Sequence, residues 1–537
     1  MSQIFGGFVG PSYQSADRYA TVERTVNWHL AANEAPGEES KFRLALEPAP
    51  GNQPFGTLPV PAPFNQPNRG LLELRGRAFG VNGTKVFEIT STGDYILIGS
   101  VANDGKPCSM VANGTGQIFI ASATHGYVIP KGALPGSLVE VPVDALNGPF
   151  FGASYATFQD GYIIVITPNS NQFQISGDDN TPLGDATIWS AANVSVQAGQ
   201  ADLLVAAISS REYLRLLGAR RSQIYQDVGS SGIGAFPFQS YNETFIETGC
   251  AAPFSIVDMV ESLMWIGEDA RGQRACWRDT AFQPQRVSTF AVEQIWQSYV
   301  SVTDAVAFPY IWNGHLIYRI TFPSAYESAT RFPLGASQGA FTAATWEYDA
   351  TVSALLGRPV WCERAYQTAM GYAVGRPELF HCYCYGKHLV GSGGADGNPG
   401  AIYQMGQAPT TNPNPQILLR WSNDGGNTWG VEQNIPIGVQ GNYTQRIYWN
   451  RCGYARDRVF WLRYAEETEC GTDITGAQSR QAVVRDRIAA HLWANNKRRI
   501  YNRFELESSR GIGASGAAGP FTFGIVNAIL DVTECAS

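Results

Sequence analysis

The chain has 537 residues, 44% apolar, 12% aromatic and only 16% charged, so a buried core is expected and wholesale disorder is excluded. Against 38 basic residues stand 46 acidic ones, for a formal net charge of −8. That argues against a protein that grips nucleic acid by neutralising phosphates, though not against one that lets a polyanion pass without sticking.

The length exceeds one ordinary core and points to about two to four units, unless a toroidal repeat uses it as one object. No basic residue precedes Arg18 and no long apolar run opens the chain, so no signal peptide is expected. No stretch reaches the ~18 to 20 apolar residues of a membrane span, and a soluble protein is expected. The nine cysteines follow no framework spacing. They read as reduced thiols of a protein made in a cytoplasm.

Residues 1–68 differ in texture from the rest of the chain. Glu34–Ser40 is polar, and Pro48, Pro50, Pro54, Pro59, Pro61, Pro63 and Pro67 punctuate the next stretch. Prolines fix φ and remove donors, so an extended arm and a stiff connector, unfit for a central sheet, are expected here. From Arg69 to about residue 470 a theme recurs: apolar strand, Gly/Asn/Asp turn, apolar strand. Ala78–Ile89, turning on Asn82-Gly83, is one instance. Further openings fall near Gln117, Gly161, Glu212, Ser262, Gly314 and His381, at spacings of about 40, 44, 51, 50, 52 and 67 residues. This period predicts a mainly β chain whose body is a β-propeller of roughly six or seven blades, with an insertion near 325–345.

Ser422-Asn423-Asp424-Gly425-Gly426-Asn427-Thr428-Trp429 matches the Asp-box pattern S-x-D-x-G-x-T-W. Asp424 is placed to accept from turn N–H groups, Gly426 permits a positive φ, and Trp429 folds back onto the core. The expected role of Ser422, Asp424, Gly426, Thr428 and Trp429 is a structural turn. From about Gly471 the texture changes again, into an expected platform of a helix and a closing strand. Ser479–Arg499, rich in Ala, Arg and Gln, predicts the helix. Arg485, Arg487, Lys497, Arg498 and Arg499 make it basic, either as a solvated face or as a surface for docking an acidic partner or DNA. A Gly/Ala loop at Gly511–Gly519 and a strand over Phe521–Val532 close the chain.

Catalytic patterns are thin. His381-Cys382-Tyr383-Cys384 has metal-ligand residue types but no second pair to complete four ligands, so a strand with buried thiols and no metal is expected. Gly229–Gly234 is glycine-rich without a following Lys, and Asp178-Asp179 and Glu268-Asp269 sit in turn contexts. No cofactor is expected.

One block is specific. Glu247-Thr248-Gly249-Cys250-Ala251-Ala252-Pro253-Phe254-Ser255, with Leu263–Gly272 and Phe282-Gln283-Pro284-Gln285-Arg286-Val287-Ser288-Thr289-Phe290, resembles the packaged-DNA stabilisation proteins of short-tailed bacteriophages, also called tail hub or tail nozzle proteins. The marker residues are Glu247, Gly249, Cys250, Ala251, Pro253, Pro284, Arg286, Ser288 and Thr289. The resemblance extends to Arg69-Gly70-Leu71 upstream and to Thr345–Asp349, the Asp-box and Ala455–Phe460 downstream. It implies a non-enzymatic virion tail protein. Such a protein would be a homohexamer that binds a dodecameric portal adaptor, extends the channel, helps retain packaged DNA, conducts the genome on ejection and docks tail fibres or tailspikes. The rival expectation, resting on the Asp-box alone, is a sialidase-like or carbohydrate-binding propeller. It requires an arginine cluster and carboxylates converging at the propeller axis.

Overall fold

Short apolar strands joined by left-handed turns build most of the chain. The computed structural model describes residues 2–534 other than 6, 16, 18–19, 35–42, 145–147, 178–184, 198–201, 230–235, 269–271, 328–340, 368–372, 407–415, 438–445, 473–477, 494–497 and 511–522. The Gly/Ala loop, Lys497, Asp178-Asp179 and most of the 229–234 loop therefore lie outside the described residues.

Five antiparallel sheets of four consecutive strands follow one another, beginning at Asn68–Leu74, Ser109–Ala112, Tyr155–Gln159, Leu204–Ser210 and Val257–Asp258. A sixth blade comprises Val306–Trp312, His315–Glu327, Phe341–Asp349 and Trp361–Arg364, and a seventh begins with Glu378–Cys384. The first strands pack in succession, helped by the short helix Pro253–Ser255, and Glu378–Cys384 packs on Asn68–Leu74 to close the ring. The body is a seven-bladed propeller. The strand openings expected near 78, 117, 161, 212, 262 and 314 are the second strands of blades one to six. These strands lie between neighbouring blades, which is why Ile163–Ile166 is apolar without alternation and fully buried. The long sixth spacing has two sources. The blade-six hairpin continues to Glu327, paired with Phe341, and the helix Ala350–Leu356 precedes the last strand.

The rest is a β-sandwich. One sheet orders Ile447–Asn450, Arg499–Arg510, Phe523–Glu534, Leu44–Pro48 and Trp28–Ala32. The other orders Gln433–Pro436, Gln416–Ser422, Asp457–Thr472, Gln478–Ile488 and Val22–Val26. Trp28, Leu46, Leu419, Phe460, Leu462 and Phe504 fill the space between them. Val22–Val26 also runs parallel to Trp361–Arg364, with Val26 opposite Glu363, so blade six and the sandwich share one eleven-stranded sheet.

Two expectations from the sequence do not hold. The N-terminal segment is no extended arm: it supplies strands to both sandwich sheets, and Gly51–Pro54 is the last strand of blade seven. The proline rule survives locally, because Pro54 sits on a sheet edge. Ser479–Arg499 is no helix. Gln478–Ile488 is a strand held between Asp457–Thr472 and Val22–Val26, and Arg499 opens another. Helix propensity in this Ala/Arg/Gln stretch is outweighed by strand pairing on both sides.

Every neighbour in the eleven-stranded sheet is antiparallel except that one parallel pair. The strand ends Glu327–Phe341 and Thr472–Gln478 therefore lie at the same end of the sheet. Past Tyr464, the strands Asp457–Thr472 and Gln478–Ile488 pair only with each other among the described residues, as a two-stranded ribbon.

Candidate functional site: the propeller–sandwich junction

Where blades six and seven meet the sandwich, the apolar texture is broken by charge. Arg319, Glu347 and Arg364 stand on the second, third and fourth strands of blade six, and Arg376 and Glu378 at the entry to blade seven. His29 reaches in from the sandwich strand Trp28–Ala32. Glu347 is the hub. Its Oε1 accepts from Tyr310 Oη at 2.6 Å and Arg319 Nε at 2.7 Å, with Arg364 Nε at 3.4 Å, while Oε2 faces His29 Nε2 at 3.0 Å. Arg376 Nη2 donates to Glu378 Oε1 at 2.7 Å, and Asn52 donates to the same oxygen from the blade-seven closing strand. Arg24 grips Glu363 through Nε and Nη2. At the corner between the two sandwich strands, Asn27 (φ 60°) exchanges side-chain hydrogen bonds with the backbone of Ala365.

All these charged groups are buried. Burial would raise the Glu347 carboxyl, but the Arg364 and Arg319 guanidiniums hold it well below the ordinary carboxylate range. Against the same burial, Arg376 and Arg319 hold Glu378 at about 2. Burial lowers His29 below its ordinary value, against the pull of the Glu347 carboxylate. Chemically the cluster is a clamp: it joins three parts of the chain through ion pairs that break only at high cost. Charged residues inside aromatic β runs, as in Tyr318-Arg319-Ile320 and Trp346-Glu347-Tyr348, were the available sequence signal, since a strand buried on both faces has nowhere to put a charge except beside its opposite.

The arginines and carboxylates resemble in type what a sialidase-like site needs, but their placement differs. Arg319, Glu347 and Arg364 lie on second to fourth strands, away from the axis, with side chains only 1–2% exposed, and Arg376 and Glu378, where blade seven begins, are buried as well. No sugar reaches them.

The family-marker block wedges blades four, five and six. A Cβ on Gly249 would lie 2.3 Å from Ala219 O, so only glycine allows that approach. Its carbonyl accepts from Trp265 Nε1 at 2.9 Å. Cys250 is buried, with Sγ directed at Ala252 O, and Ala251 N donates to Ile266 O. Pro253 opens the short helix, from which Ser255 O accepts the Tyr318 hydroxyl of blade six. Glu247 is surface-exposed and pairs with Arg221 at 2.7 Å. Pro284 lies in the last strand of blade five, and Arg286 pairs with Glu293 at 2.5 Å and covers the Phe290 ring. Ser288 donates to Glu293 while accepting from Cys276 N, and Thr289 caps the helix Phe290–Gln297. The marker residues thus pack blades together and converge on no solvent-open centre.

In the Asp-box turn, Asp424 Oδ1 accepts from Asn427 N and Thr428 N, at 3.1 and 2.8 Å, and Oδ2 from the Thr428 hydroxyl at 2.6 Å. Burial would raise Asp424, yet the hydrogen bonds from Ser422 and Thr428 hold it below its ordinary value. Gly426 has φ 87°, its N–H reaches Ser422 Oγ, and Trp429 packs edge-on against Trp461. The turn sits at the opposite end of its sheet from the paired residues Thr472 and Gln478.

The basic segment does not form one surface. Arg485 is buried over Trp28 and Tyr464. Arg487, fully buried, pairs with Glu23 at 2.8 Å and donates to Phe8 O at 2.6 Å and Thr25 Oγ1 at 2.9 Å, tying down the N-terminal segment. Alternation along the strand sends both inward. Arg498 is exposed beside Tyr454, and Arg499 is half-buried. In the 381–384 strand, Cys382 and Cys384 are buried and Tyr383 is exposed. His381 stacks on Phe308 and His388.

Among the described residues no helix is long and apolar enough to cross a membrane. No curated protein matches the chain. Similar solved structures include a streptogramin B lyase (10% identity, 66% of this chain and 96% of that one, TM-score 0.39). The N-terminal domain of Nup159 is another (9%, 70% and 99%, TM-score 0.37), as is YCF48 from Cyanidioschyzon merolae (8%, 66% and 98%, TM-score 0.37). A family model described as bacteriophage P22 Gp10, beta-propeller, matches residues 65–338, and one described as bacteriophage P22 Gp10, beta-sandwich, matches residues 401–479. The propeller match alone covers more than half of the sequence, and the fold joins a propeller to a sandwich as the two matches require: the chain belongs to the bacteriophage P22 Gp10 family of packaged-DNA stabilisation proteins and is a phage structural protein.

Proposed function

We propose that this chain is a subunit of the tail nozzle or hub. Six copies ring the channel below a dodecameric portal adaptor, help hold packaged DNA in the head, conduct it on ejection and carry tail fibres or tailspikes. The observation that carries this reading is the double family match, propeller and sandwich in one chain. The physics is compatible with it. A net charge of −8 per copy makes a repulsive wall for a polyanion that must be retained by closure and later slide. Low charge and many aromatics suit the large permanent interfaces of a closed ring, of the roughly 2,000 Å² class or above. Val260, Phe290 and Val300, each at least 70% exposed around the marker block, are apolar groups available for such contacts. In this reading the chain catalyses nothing, and the Asp-box shapes a turn.

Particles assembled without the protein should fill with DNA and then lose it. Stable genome retention in such particles would remove the retention role.

A further inference from the structure

We propose that a pocket between blades four and five binds a single uncharged pyranose ring of a carbohydrate. Two hairpin turns frame it. The turn between Leu204–Ser210 and Tyr213–Gly218 in blade four contributes Arg211, and the turn between Arg274–Thr280 and Gln283–Arg286 in blade five contributes Phe282. The pocket has a volume of about 220 Å³. That is below the roughly 300 Å³ at which sites for drug-sized ligands begin, so it suits one ring. Its walls are aromatic: the half-buried Tyr213 and Phe282 rings meet edge to face with centroids 5.0 Å apart, and Tyr241 backs both.

The floor is polar. Arg215 and Asp279 line it, both buried and paired with each other across the two blades, and Arg215 lies 4.6 Å over the Trp265 ring. Arg215 takes Asp279 Oδ2, while Oδ1 has no hydrogen-bond partner among the described residues. A bare carboxylate oxygen at a buried place is costly, and it calls for a donor from whatever fills the pocket. An anion would meet the Asp279 carboxylate, and a cation would meet the Arg211 and Arg215 guanidiniums, so the ligand is uncharged. An aliphatic group would cover the rings but leave Oδ1 bare. A pyranose does both: its C–H faces lie against Tyr213 and Phe282, and its hydroxyls donate to Asp279 and accept from Arg211. Asp279 is the one carboxylate in the lining among the described residues. Glycoside hydrolysis takes two, so the pocket binds sugar without cleaving it. The sugar site does not depend on the tail assignment.

The test is saturation-transfer NMR on the full chain with the methyl glycosides of glucose, galactose, mannose, rhamnose and N-acetylglucosamine. At least one should bind with a dissociation constant on the order of 1 mM, as expected for so few atoms in a small pocket. Tyr213→Leu, which keeps an apolar wall but removes the ring, should weaken that binding about tenfold. Should that variant fail to fold, Arg211→Ala at an exposed turn position should show the loss instead. N-acetyltryptophanamide, run alongside, stands for the aromatic side chain of a partner protein. Binding of that probe without any glycoside, no glycoside binding at all, or glycoside binding unchanged in the variant that folds overturns the proposal.

Discussion

Blades one to five are each made of four strands in sequence, closed by short turns, whereas blade six runs on into a sandwich sheet and blade seven takes its last strand from the N-terminal segment. Arg24 meets Glu363 across 339 residues of chain, His29 meets Glu347 across 318, and Asn52 meets Glu378 across 326. The local blades are held mainly by apolar burial, as in Phe79, Phe87, Ile120 and Ile164, with one buried ion pair, Arg215 to Asp279, between blades four and five. The junction adds buried ion pairs that tie distant segments. Contacts of high sequence separation close long loops and so carry a greater entropic cost.

The sharpest way to break this contrast is Glu347→Ala. It strands the Arg319 and Arg364 guanidiniums inside the protein and should cost about 3–5 kcal/mol, read by denaturant unfolding. A loss under about 1 kcal/mol would mean that the cluster contributes no more than a surface pair.

Acid should act on the same region. His29 is lowered in the fold, so the native state resists its protonation and stability begins to fall as pH drops below the unfolded value near 6.5. Glu347 and Glu378 are depressed, so their contribution is complete above about pH 4.3 and is lost as pH falls towards the folded value, about 2 for Glu378. His315 is raised by its hydrogen bond to Asp349, so its contribution is present below about pH 6.5 and fades as pH rises through its folded value. Hydrogen exchange should show the 22–32 and 344–364 strands losing protection in acid before blades one to three; a uniform loss would blur the distinction.

In the blades, Gly249→Ala forces a methyl against Ala219 O and should cost about 1–3 kcal/mol by overpacking, felt between blades four and five alone. The smallest effect is expected at the Asp-box. Asp424→Ala removes local hydrogen bonds at a half-buried turn, worth about 1 kcal/mol in the unfolding midpoint, with the rest of the sandwich unchanged.

The contrast also explains what the sequence made legible. Blade strands announce themselves through Gly and Asn turns such as Asn82-Gly83 and through apolar runs such as Tyr162–Ile166, because each blade is a local object. The N-terminal strands were hidden, since Val22–Val26, beyond its short local pairing with Tyr13–Gln14, and Gly51–Pro54 find their partners in the last third of the chain. Gln478–Ile488 misled for a related reason. Its Arg485 and Arg487 read as a basic helical surface until the strand beside it places both inside. The marker block was visible as a pattern, but its role in wedging blades emerges only from Trp265 and Tyr318 reaching across to its backbone.

An image of the assembled tail at a resolution that places individual domains bears most directly on the account. Six copies encircling the channel, with propeller and sandwich keeping the relative placement that the Glu347 cluster sets, are the expected result. A single copy away from the channel, or propellers swung free of their sandwiches, would contradict it.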